Sequence, residues 1–169
     1  MRKKIIIYRD EISRDIEDDT LFISKMQEAE NAMPALKGYK LSADEKDSSF
    51  INRRMDKYFN AIIRQLQRYL YKYESTDKSD NALVSWKSRA FIIDMPSDWP
   101  ETNLQDLTDN IHSVIASGIE YEYLRRAFGP NNALVESLRM DIEQGLGQIN
   151  VNINQRTRQT RTPFVPFDR

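Results

Sequence analysis

Catalysis needs a nucleophile, a base or a metal cage held together, and this 169-residue chain is poor in all three. It has no cysteine, which removes disulfide and thiolate chemistry and fits a reducing compartment. Its one histidine, His112, follows Ile111 in an apolar-periodic stretch, where a packing or surface role is expected. Neither H-x-x-x-H nor H-x-x-E spacing surrounds it to make a zinc site. Between Asp10 and Asp19 six carboxylates face Arg14 alone, but the run lacks the glycine and closing glutamate of a calcium loop, so it reads as solvated charge. Gly145-Leu146-Gly147 is too short to cradle a phosphate, and G-x-x-x-x-G-K-[ST] occurs nowhere. No catalytic, metal or cofactor site is expected, and the chain is read as a non-enzyme.

What these residues can do is bind. Arg53, Arg54, Lys57, Arg64, Arg68 and Lys72 share one face of a predicted helix, opposed from Phe50 onward by Asp56. Such a face is ordinarily solvated and buries its aliphatic stems. As a functional surface it would meet phosphate or a partner's carboxylates. The tail holds a second basic set, Arg156, Arg158 and Arg161, followed by the proline-spaced rings Phe164 and Phe167. With 25 basic and 26 acidic residues the net charge is −1, so no global attraction to nucleic acid is indicated. Sharply segregated charge in a neutral chain favours contact between the basic sets and a neighbour's Asp10–Asp19 segment. Trp86 and Trp99 could stack nucleobases, but core and interface packing is the simpler reading.

The elements that must position these groups follow from periodicity. Residues 4–9, KIIIYR, predict a short strand. Leu21–Ala32 fits a strand or a short helix, and Pro34, Gly38 and a polar run then break the chain. Ser42 and Glu45 form an S-x-x-E capping box, after which Ile51, Met55, Tyr58, Ile62, Tyr69 and Tyr73 predict a helix over about 44–73. Glu74–Asn81 is turn-like, and Ala90–Asp94 predicts a second strand. A rigid turn at Pro96, Trp99 and Pro100 leads to an amphipathic helix from Leu104 to Phe128, which Gly129 and Pro130 should end. A fourth helix over about 130–144 places Leu134, Leu138, Ile142 and Leu146 at helical spacing, with Gly145 and Gly147 closing it. Ile149, Val151 and Ile153 then alternate with asparagines, the period of a strand.

The length suits one domain. The expected fold is mainly α, a bundle of three to four helices with a small β element and an extended C-terminal arm. Residues 1–147 would form the body with its N-terminal strand, and residues 148–169 the arm. The arm has too little apolar surface to offset about 1–2 kcal/mol of backbone entropy per residue, so a partner should hold it. Its alternating segment Ile149, Val151 and Ile153 would add a strand to another subunit, and Arg156 through Phe167 would dock as a stiff basic extension. The apolar runs Ile5–Tyr8 and Ala90–Ile93 are far short of a membrane span. The basic-then-apolar start resembles a signal peptide cut off too early by Arg9 and Asp10, so a soluble protein of cytoplasmic origin is expected.

In their order, the opening IIIYRDEISRDIEDDTLF, the helix ADEKDSSFINRRMDKYFNAIIRQLQRYL, the turn-helix FIIDMPSDWPETNLQDLTDNIHSVIASGIEYEYL and the tail NINQRTRQTRTPFVPF resemble one family. It comprises small virion proteins of Bacteroidetes phages and prophages at the head–tail connector or neck. The segment Asn110–Glu122 departs from it in being more polar than a strongly hydrophobic connector core. The resemblance implies a structural role: a ring-forming adaptor between portal and tail, or a tail-completion protein. It implies copies of itself as neighbours, about twelve by family analogy, together with portal and neck or tail proteins. The face Arg53, Arg54, Lys57, Arg64 and Arg68 would then line a DNA-filled lumen. The alternative is a small helical nucleic-acid-binding protein.

Overall fold

The computed structural model describes residues 1–30, 48–76 and 88–157. Strand β1 (Arg2–Tyr8) leads directly into helix α1 (Arg9–Glu30). Helix α2 (Ser48–Leu66) precedes β2 (Leu70–Thr76), followed by β3 (Ser88–Asp94), α3 (Asn103–Phe128) and α4 (Ala133–Asn154). The result is mainly α with a small three-stranded antiparallel sheet, as the periodicities predict.

Alternation explains β1: Ile5 and Ile7 are buried while Ile6 and Tyr8 face outward. Strand β3 is central, pairing antiparallel with β1 on one side and β2 on the other. Its Phe91 packs against Phe59 of α2 and Tyr73 of β2, with ring centroids 5.8 and 5.4 Å apart. Each helix contributes an apolar stripe to the same core: Ile12 and Ile16 from α1, Met55, Phe59, Ile62 and Leu66 from α2, Leu107 through Ile119 from α3. Thr20 completes the α1 stripe as a fully buried residue, its hydroxyl donating to the Ile16 carbonyl at 2.6 Å. The segment Leu21–Ala32, which fits a strand or a helix by sequence, continues α1 as far as Glu30.

Two expected boundaries are corrected. Helix α2 stops at Leu66, not near Tyr73. The chain turns through Tyr69, whose amide donates to the Leu66 carbonyl at 2.8 Å, and Leu70 onward joins the sheet. The aromatic, β-favouring composition of Tyr69–Tyr73 outweighs the helical spacing once β3 offers a ladder. The second correction concerns the C-terminal half. Helix α4 runs unbroken through Gly145 and Gly147 to Asn154, so Ile149, Val151 and Ile153 are helical and form no strand. Ile149 and Ile153 are four apart and continue the stripe of Leu138, Ile142 and Leu146 into the core, whereas Val151 is 56% exposed. Gly145 is needed for contact instead of termination: a Cβ there would collide with Val114 Cγ2 of α3. Gly129 does end its helix as expected, at φ 80° with its amide donating to the Arg125 carbonyl. The expected body–arm division at 147/148 therefore falls inside a helix.

The end of α4 is strapped to the turn before α3. Trp99 Nε1 donates to the Asn152 carbonyl at 2.8 Å, Asn103 Nδ2 donates to Gln155 Oε1 at 2.8 Å, and the Thr157 amide donates to the Asp98 carbonyl at 2.7 Å. Among the described residues no helix is long and apolar enough to cross a membrane. The Ser42–Glu45 capping box, Trp86, and the tail residues Arg158, Arg161, Phe164 and Phe167 lie outside the described residues.

Candidate anion-binding interface

The predicted basic face does not form one surface. Arg53, Lys57 and Arg64 share a side of α2, but Arg68 lies in the turn after it and Lys72 on β2, paired with Glu74 at 2.8 Å. Lys57 is held by Glu122 of α3, and Asp56 by Arg89 of β3. Arg64 and Arg68 are exposed, and Arg68 stacks on Tyr69 at 5.6 Å.

What the fold assembles instead is a pocket at the start of α2. Phe50, Arg53 and Arg54 stand at i, i+3 and i+4, hence on adjoining positions of one helical face, and Arg126 reaches them from the last turn of α3. Together they line a cavity of about 280 Å³. The Phe50 ring is its wall. The Arg126 guanidinium lies 4.1 Å from the ring centroid and that of Arg54 5.4 Å, while Tyr123 supports the ring at 6.1 Å. Arg125 and Arg126 also suit the negative end of the α3 macrodipole. Among the described residues neither Arg54 nor Arg126 has a carboxylate partner. Cation–π contact with the Phe50 ring leaves the guanidinium N–H donors of Arg54 and Arg126 able to meet a carboxylate or phosphate oxygen pair. Local spacing does not place Arg126 at this site, because its proximity to α2 is a tertiary fact.

The Tyr58 hydroxyl is pushed well above its ordinary range, first by burial and then by the charge of Glu122, so it remains a neutral donor. On the tail side, Arg156 is already engaged within the chain. It donates to the Tyr69 hydroxyl at 2.8 Å, stacks on that ring at 5.7 Å and lies 3.5 Å from Asp98 Oδ1. Of the residues expected to bind a partner, Ile149, Ile153 and Arg156 thus serve the chain's own packing.

A second titratable cluster joins α1 to α3. Glu120, 6% exposed, meets Asp19 through a side-chain hydrogen bond, with Asp15 beside it. Burial, followed by the Asp19 charge and hydrogen bond, pushes its carboxyl up to about 8. His112 Nδ1 lies 3.6 Å from Asp15 Oδ2. Among the described residues no group of histidines and carboxylates could hold a metal ion. No family model, curated protein or solved structure matches the chain.

Proposed function

We propose that the chain is a structural subunit of a tailed-phage particle: a ring-forming head–tail connector or adaptor that links portal to tail in the virion neck. The observation that carries this reading is charge segregation in a near-neutral chain. Carboxylates crowd the exposed side of α1, while the guanidiniums of Arg54 and Arg126, without a carboxylate partner among the described residues, lie against Phe50 between α2 and α3. Opposite patches on one chain suit repeated contact between copies, and the resemblance noted above supplies the assembly. In a ring of this kind, about twelve copies by family analogy, Arg64 and Arg68 are left to meet DNA in the lumen without sequence preference. The partner-reaching arm is then shorter than the sequence suggests. It starts after Thr157 and carries Arg158, Arg161, Phe164 and Phe167 toward the portal or a neck protein.

Truncation tests the arm. A chain ending at Thr157 keeps the α4 strap and should fold with an unchanged melting temperature, yet fail to join portal-containing particles. Particle incorporation equal to the full chain would overturn the arm assignment. A guanidinium pocket also suits a small helical nucleic-acid-binding protein. Salt-sensitive binding of duplex DNA by the isolated monomer, with a steep fall in affinity between 50 and about 200 mM salt, would favour that reading instead.

A further inference from the structure

We propose that the Phe50–Arg54–Arg126 pocket receives the exposed acidic stripe of α1 from a second copy of the chain. This deepens the reading of the protein as a self-assembling subunit and rests on it. On α1, Glu11, Asp15, Asp18 and Phe22 are spaced by four, three and four residues, so they stand on one face along about 16 Å of helix. All four are exposed, and Phe22 is exposed to 62% with Leu21 beside it. The stripe thus presents three carboxylates ending in an uncovered aromatic ring. The pocket presents the complement: two guanidiniums within cation–π distance of a phenylalanine ring.

Within one copy these surfaces do not satisfy each other. Among the described residues no α1 carboxylate pairs with Arg54 or Arg126, and α1 packs on α3. A phosphate backbone would match the guanidiniums but would leave Phe22 without a role, and the chain's net charge of −1 does not draw it to a polyanion. A second copy uses both features. Because the two surfaces differ, the contact is heterologous and propagates from copy to copy, closing into a ring when the rotation permits.

The test is a charge exchange between copies, read by sedimentation velocity on full-length chains with circular dichroism to verify folding. The wild-type chain should self-associate, and less so as salt rises. One variant carries Arg54→Glu and Arg126→Glu, the other Glu11→Lys and Asp18→Lys. Each alone should associate about tenfold or more weakly than wild type, and an equimolar mixture should restore salt-sensitive assembly of alternating copies, because each variant's pocket then complements the other's stripe. A wild-type chain that stays monomeric would overturn the proposal, as would association that neither reversal weakens. So would loss of duplex-oligonucleotide binding in the pocket variant with self-association intact, which would make the pocket a phosphate site. Should either reversal unfold the chain, the salt dependence of wild-type association still decides: salt-independent association overturns the contact. Failure here with wild-type incorporation into particles intact would remove this contact and leave the connector reading standing. Restored association without portal binding would do the reverse.

Discussion

Two glycines two residues apart on α4 have opposite jobs. Gly145 lies against Val114, and any Cβ there enters the Val114 side chain; Gly147 has nothing within 4 Å of an added Cβ. Gly145→Ala should therefore lose stability by about 1–3 kcal/mol through overpacking, net of the helix-propensity gain. Gly147→Ala should gain about 0.5–1 kcal/mol, because it restricts the unfolded chain at a helical site without a clash. Urea unfolding of the two variants checks both signs. The buried Glu120 makes the second residue-scale prediction. Its carboxyl titrates near 8 in the folded state and near the ordinary glutamate value when unfolded, so the folded state holds the extra proton between those limits. This contribution is fully present in mild acid, below the unfolded value, and is lost as pH rises toward about 8. Asp19 and Asp15 from α1 are the facing charges, with His112 beside Asp15. Glu120→Gln keeps a donor toward Asp19 and removes the titration. Its melting temperature should fall less than that of the wild type between pH 5.5 and 8.5; parallel profiles would exclude Glu120 as the source.

At the scale of elements, the C-terminal helix carries the main lesson. Alternation of Ile149, Val151 and Ile153 with asparagines is a two-residue period, but two of those three residues are also four apart. The stripe from Leu138 onward extends through them at helical spacing. Short apolar patterns satisfy both periods, and α3 supplies the surface that chooses. Ile153→Ala should cost about 2–5 kcal/mol as a core deletion, while Val151→Ala should change stability by under about 0.5 kcal/mol. Comparable effects at the two positions would contradict the helical placement. The same competition ended α2 early, where Tyr69–Tyr73 found a better partner in β3 than in another helical turn.

At the scale of the molecule, the residues that folding needs extend past the 147/148 division that composition suggests. Cutting after Gly147 would remove Ile149, Ile153 and the acceptor of the Trp99 indole, opening the core. Cutting after Thr157 spares all three. The body cut at Gly147 should melt well below the full chain and the one cut at Thr157 should match it, a comparison that separates folding from particle attachment.

Local sequence alone carried the mainly α class, the strand at the N-terminus, a middle strand over Ala90–Asp94 that the structure extends back to Ser88, the long helix ended by Gly129, and the separation of acidic from basic segments. Each is set by local period, capping or composition, which neighbours in the chain express without help. Tertiary structure alone decided where α2 yields to the sheet and that α4 passes through two glycines. It also decided that Arg156 is spent on Tyr69 and Asp98, and that Arg126 joins Phe50 and Arg54 in one pocket. These are contacts between residues distant in sequence, and their energies exist only once α3 has packed against its neighbours.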